Sequence, residues 1–132
     1  MAYAREGMCM DAAAVNILAA VSGLRLAPAM EEYALHEAIA SALKHRQIPY
    51  VHEARLAPRC RIDFLCGGVG IEVKRGKPVR STLLSQLSRY CACEQISTLI
   101  LVVERTAHLP KTCCGKPVYV ISLNRLWGVS LP

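Results

Sequence analysis

Asp63, Glu72 and Lys74 are the residues of this chain whose types and spacing suit chemistry. They lie in residues 61–74, RIDFLCGGVGIEVK, a stretch that reads as two short strands joined by a glycine turn. Side chains alternate faces along a strand, so Glu72 and Lys74 point one way and Ile71 and Val73 the other. Asp63, between Ile62 and Phe64, is the polar exception on the first strand. Two carboxylates converging across neighbouring strands, with the Val73 carbonyl, offer hard oxygen ligands for Mg²⁺ or Mn²⁺. Such a cation polarises a phosphate and lowers the pKa of a bound water. A lysine on the same face orients that water or stabilises charge developing on phosphorus. The same residues also fit a plainer arrangement, a Glu72–Lys74 surface salt bridge with Asp63 in a turn.

The flanking elements must deliver these groups to one place. Residues 31–47 read as a helix, with Leu35, Ile39, Ala42 and Leu43 forming one apolar stripe. Acids at its start and Lys44, His45 and Arg46 at its end suit the helix dipole, and Pro49 closes it. Glu32 and His36 lie one turn apart at the edge of the stripe, where a side chain can reach a neighbouring sheet; Glu37 lies on the far side. Residues 50–56, 61–66 and 70–75 are strands, spaced for an antiparallel meander, with Gly67-Gly68 as the turn between the last two.

Residues 81–94 form a second helix with Ser81 as N-cap and Leu83, Leu84, Leu87 and Cys91 as its buried stripe. Gln86 and Tyr90, four apart, are neighbours on one face. The aliphatic run 97–103 has the pattern of a central strand buried on both faces. Reached through a helix, it should lie parallel to the strand before it. Residues 108–116 read as a loop, 117–122 as a last strand and 124–129 as a terminal turn or short helix. The order predicts an α/β fold with a central mixed sheet flanked by helices. Residues 31–132 make the principal domain. Residues 1–30 are a helical appendage, packing on the domain or on a second subunit, and their apolar run is too short to span a membrane.

The 132 residues leave room for one core, and a hydrophobic share of 53% excludes a disordered chain. The net charge of +6 is compatible with a polyanion partner and equally with ordinary surface charge. Seven cysteines without a C-x-x-C spacing read mostly as reduced, small hydrophobes of a cytoplasmic protein. A thiolate cluster of Cys91, Cys93, Cys113 and Cys114 is the alternative.

Asp63, eight residues, then Glu72-Val-Lys74 preceded by Gly70-Ile71 resembles the signature of the PD-(D/E)XK nuclease superfamily. Gln86-x-x-x-Tyr90 on the following helix resembles the additional motif of its RecB-like exonuclease branch. The resemblance covers residues 31–104 and implies a restriction-endonuclease-like core. It implies Asp63 and Glu72 as metal ligands, Lys74 as the catalytic lysine, and Gln86 and Tyr90 as site support or nucleic-acid contacts. It also implies a further ligand on the first helix, His36 or the acidic alternative Glu32. Glu53, on the preceding strand, is another carboxylate within reach. Ile62 stands where the family signature has its proline. The cysteine placement differs from that of iron–sulfur members of the branch, so no cluster is carried over.

Arg75, Lys77, Arg80 and Arg89 surround the site in sequence, as a basic rim for phosphates would, or as the solvated start of a helix would. The expectation is therefore a Mg²⁺- or Mn²⁺-dependent nuclease acting on DNA, plausible as a homodimer. The alternative is a non-catalytic nucleic-acid-binding or protein-interaction module on the same fold, and a thiol or metal sensor is a third reading.

Overall fold

Thr98–Val103 is the run around which the chain is layered, and all six of its residues are buried. Ile100 and Val102 pack into a cluster with residues of two N-terminal helices, whereas Leu99, Leu101 and Val103 pack with a third helix on the opposite face. A strand covered on both faces carries apolar residues at every position, which is why this segment does not alternate.

The structure, a computed structural model, describes residues 12–24, 31–104 and 108–123. Their elements are α1 (Ala12–Ser22), α2 (Glu32–His45), β1 (Val51–Ala57), β2 (Cys60–Cys66), β3 (Val69–Lys74), α3 (Arg80–Cys91), β4 (Thr98–Val103), β5 (Thr112–Cys113) and β6 (Lys116–Ser122). They form an open six-stranded mixed sheet in the order β1-β2-β3-β4-β6-β5. The first three strands are the expected antiparallel meander, and β4 is parallel to β3 and to β6. Helices α1 and α2 cover one face and α3 the other, giving a three-layer α/β architecture. Ala14, Ile17 and Val21 of α1 share one buried cluster with Leu35, Ile39 and Leu43 of α2 and with the sheet. No helix among the described residues is long and apolar enough to cross a membrane.

Some boundaries differ from the sequence reading for local reasons. Val79, extended after Pro78, is the residue before α3, so Ser81 lies inside the helix rather than capping it. The buried stripe of α3 is Leu83, Leu87, Tyr90 and Cys91; Leu84 is only half-buried. Within the stretch read as a loop, Thr112–Cys113 pairs with β6 across Cys114 and Gly115. Both turn residues have positive φ, 54° and 77°, as a two-residue hairpin turn of the primed type requires. The turn or helix expected over 124–129 falls outside the described residues.

One departure bears directly on the site. Phe64 packs on the α2 side with Cys66, while Ile62 packs on the α3 side with Cys60. Across the ladder, His52 lies against His36 of α2, while Ala54 and Leu56 belong to the α3 side. Both strands thus exchange faces between the register pairs His52↔Phe64 and Ala54↔Ile62. The strict alternation expected around Asp63, with Ile62 and Phe64 on one face, does not hold. Glu53 and Asp63 occupy the positions of the exchange, and Glu53 takes a φ of 54° to make it. A left-handed residue inside a strand reverses which face the following side chains meet, at a cost that the surrounding packing must cover. Gly70 completes the arrangement. A Cβ there would stand 2.5 Å from Ile62 Cδ1 and 2.8 Å from Ile96 Cδ1, so glycine makes room for Ile62 on the α3 side.

Candidate active site

The β2–β3 ladder runs through Phe64↔Ile71, Leu65↔Gly70 and Cys66↔Val69, and next to it the carboxylates take over. The Asp63 amide donates to Glu72 Oε1 at 3.2 Å, and the Val73 amide donates to Asp63 Oδ2 at 2.8 Å. Each acid therefore accepts a backbone N–H from the other's strand. Amides of a buried strand pair need acceptors, and here acidic side chains serve instead of carbonyls. This arrangement brings two carboxylates to one spot and fixes their orientation.

Glu72 is the most enclosed member, with its side chain 6% exposed. Its Oε2 lies 3.3 Å from Lys74 Nζ and accepts from Gln86 Nε2 at 3.2 Å. Gln86 Nε2 also donates to the Tyr90 hydroxyl at 3.0 Å, and that hydroxyl donates to the Arg61 carbonyl at 3.1 Å. The four-residue spacing on α3 thus becomes a hydrogen-bonded chain from the β2 backbone to Glu72. The amide orientation of Gln86 follows from chemistry, because a carboxylate and a phenol oxygen need its NH₂ group. Its Oε1 is buried without a hydrogen-bond partner.

From the other side of the sheet, α2 supplies His36. Its Nε2 lies 3.6 Å from Glu32 Oε2 and 3.7 Å from Asp63 Oδ2, while its Nδ1 is 2.9 Å from His52 Nε2. The His36 side chain is 9% exposed and its Nε2 is buried without a hydrogen-bond partner. The one-turn spacing of Glu32 and His36 at the stripe edge therefore does bring both toward Asp63.

The electrostatics follow from burial. Burial pushes the Asp63 carboxyl above its usual range, against the Val73 amide and His36, which favour the charged form. Burial first, and then repulsion from Asp63, raises Glu72 to about 7, with Lys74 opposing. Burial, with Glu72 next to it, also pushes the Tyr90 hydroxyl up, so it remains a donor. As they stand, no three His, Cys, Asp or Glu side chains among the described residues are gathered closely enough to hold a metal ion. The donor chemistry nevertheless fits a divalent cation. Both acids are destabilised in their charged forms, Asp63 by burial and Glu72 by burial and then by Asp63, and a buried imidazole nitrogen beside Asp63 has no hydrogen-bond partner. Asp63, Glu72, His36, Glu32 and the Val73 carbonyl are the groups that could hold one.

The basic residues divide. Arg75 is taken up by Glu104, with Nε to Oε1 at 3.0 Å, and the Gly76 amide donates to the same oxygen at 2.7 Å. Arg80 donates to the His108 carbonyl. Lys77 and Arg89 are exposed. Sequence reasoning missed two features. His52 gave no signal, because only the β1–β2 register and the face exchange bring it to His36. Arg55 and Arg61, exposed cross-strand partners on β1 and β2, add basic charge that becomes visible once the register is known. Glu53, the further carboxylate, lies 3.5 Å from Arg61 and is exposed. Among the cysteines, Cys60, Cys66 and Cys91 are buried and unbridged, while Cys93, Cys113 and Cys114 are unbridged and more accessible.

No family model, no curated protein and no solved structure matches the chain.

Proposed function

We propose that the chain is a metal-dependent nuclease of the PD-(D/E)XK type, hydrolysing DNA phosphodiester bonds on a restriction-endonuclease-like core. The observation that carries this reading is the reciprocal clasp of Asp63 and Glu72, with Lys74 on the same carboxylate as Gln86. A surface salt bridge has no need of two enclosed acids whose pKa values burial raises, one of them further raised by the other, whereas a site for cation and phosphate does. Bound there, Mg²⁺ or Mn²⁺ supplies Lewis-acid polarisation of a phosphate and a more acidic water.

The chain's own residues do the rest. Asp63 and Glu72 provide negative charge in an environment where water screens it poorly. Lys74, half-buried beside Glu72, presents Nζ protons to the charge that develops on phosphorus. Gln86 and Tyr90 hold Glu72 in one orientation, which places the reacting groups without reorganisation. Lys77, Arg89 and Arg55, exposed, are positioned to meet backbone phosphates, while Arg61 beside Arg55 is shared with the exposed Glu53. Arg75, held by Glu104, is assigned to structure instead.

The test compares Mg²⁺-dependent DNA cleavage by the wild type with that of an Asp63→Ala, Lys74→Ala double variant. Loss of cleavage with retained folding supports the reading, and unchanged cleavage refutes it. DNA binding without cleavage by the wild type would favour the non-catalytic module.

A further inference from the structure

Resting on the nuclease reading above, we propose that His52 is a positioning residue. It accepts the Nδ1–H of His36 and so leaves His36 Nε2 as the atom that a divalent cation meets beside Glu32 and Asp63. The two rings approach with Nδ1 of His36 2.9 Å from Nε2 of His52, a distance that holds one proton. A neutral imidazole carries one N–H and one lone pair, so the location of that proton dictates the other nitrogen of His36. If His52 donates, His36 Nε2 must carry a hydrogen and its lone pair is lost to a ligand. If His36 donates, the Nε2 lone pair is open.

The surroundings of Nε2 decide between these. The atom is buried, and Glu32 Oε2 and Asp63 Oδ2 stand at 3.6 Å and 3.7 Å, beyond the range of an N–H···O bond. With no cation, an N–H at that atom faces two carboxylates within ion-pair distance, whereas a cation seated between those oxygens needs the Nε2 lone pair. Two carboxylate oxygens and that lone pair are the donor set such a cation takes up, and in the loaded site Nδ1 carries the proton that His52 accepts. His52 is exposed, so its own Nδ1–H reaches solvent once Nε2 acts as acceptor.

The fold holds His52 in this role. The face exchange at Glu53, with its φ of 54°, leaves His52 as the β1 partner of Phe64 on the α2 side. Phe64 packs against both imidazoles, with ring centroids 5.4 Å from His36 and 4.8 Å from His52, while the two imidazoles meet edge-on at 5.1 Å and 71°. Partners that fix a ligating histidine through its second nitrogen alter metal affinity by about 10–100-fold.

The competing role is packing alone, and two variants separate the two. His52→Phe keeps a ring against Phe64 but removes the acceptor; His52→Gln keeps an acceptor without the ring. Mn²⁺ binding to each full-length variant is followed by electron paramagnetic resonance, and ¹⁵N resonances of His36 are read in the Mg²⁺-saturated protein. The proposal expects Nδ1 of His36 to be the protonated nitrogen. It expects Mn²⁺ affinity to fall about 10–100-fold in His52→Phe and to stay much closer to the wild type in His52→Gln. A proton on His36 Nε2 in the Mg²⁺-saturated protein, or wild-type affinity in His52→Phe, overturns it. Wild-type protein that binds no Mn²⁺ overturns the nuclease reading and the cation role of the pair with it. That result is distinct from unimpaired binding by His52→Phe, which removes the role of His52 alone.

Discussion

Asp63 and Glu72 exchange backbone hydrogen bonds across adjacent strands, Glu72 accepting from the Asp63 amide and Asp63 from the Val73 amide. The exchange satisfies two strand N–H groups with carboxylates, and it confines two negative charges to one enclosed position. Stability and chemistry pull against each other there. Asp63→Asn retains an oxygen acceptor for the Val73 amide and removes one charge. In chelator at neutral pH it should unfold at a temperature equal to or above that of the wild type, while losing Mn²⁺ binding. Asp63→Ala, which leaves a buried N–H unsatisfied, should cost about 1–3 kcal/mol relative to Asp63→Asn. Thermal melts of the two variants side by side check this; equal melts would contradict the role given to the hydrogen bond.

Glu72 sets a pH dependence whose sign is fixed. Its folded pKa is raised from the ordinary 4.5 to about 7, so between those values the native state binds more protons than the unfolded chain. Its contribution to stability is favourable at low pH and declines as pH rises through that window, by on the order of 3 kcal/mol. In chelator, the difference in unfolding free energy between the wild type and Glu72→Gln should therefore grow with pH, in favour of the variant, and level off above about 7. Urea titrations across that range measure it. A difference that does not change with pH would mean that Glu72 is not held as described.

Glu53 carries a φ of 54° in mid-strand. Valine at that position should destabilise the protein by about 1–2 kcal/mol, because β-branched residues tolerate the left-handed region poorly. Glycine should be neutral or slightly stabilising, since it removes the strain but enlarges the unfolded ensemble. The exposed Glu53–Arg61 pair contributes little to either result. Denaturation midpoints of the two variants decide it, and a valine variant as stable as the glycine one would remove the strain from the account.

Much of this fold is legible in the sequence because single-period patterns dictate it. The unbroken aliphatic run before Glu104 announces a central strand, and the Leu35–Ile39–Leu43 spacing announces a helix. Asp63, Glu72 and Lys74 stand out as charges in apolar surroundings, and Gln86 and Tyr90 follow from helical spacing. What the sequence hides is set by pairing between strands. The face exchange at Glu53 and Asp63 breaks the period that makes strands readable, and no residue type there announces it. His52 meets His36, and Arg55 meets Arg61, only through the register. The Ser81 cap fails for a simpler reason: Pro78 and an extended Val79 set the start of α3 one residue earlier.

The cysteines should sort by enclosure when the folded protein is alkylated. Burial pushes the Cys66 thiol up to about 11 and, with Cys113 adding to it, Cys91 up to about 12. Both are buried as well, whereas Cys114 is exposed. Since the thiolate is the reacting species, iodoacetamide at mildly alkaline pH should label Cys114 well before Cys66 and Cys91, as peptide mass mapping would show. Early labelling of Cys66 would contradict its place in the cluster beneath α1 and α2.

The central claim is that the Asp63–Glu72–Lys74 group cuts phosphodiester bonds with a divalent cation. Its most direct test is incubation of the purified chain with linear, nicked, branched and circular DNA in Mg²⁺ and in chelator, followed by product sizing. The account predicts degradation of at least one of these forms in Mg²⁺, its loss in chelator, and its loss in Lys74→Ala. Intact DNA of every form in both conditions, from protein shown to be folded, would contradict it.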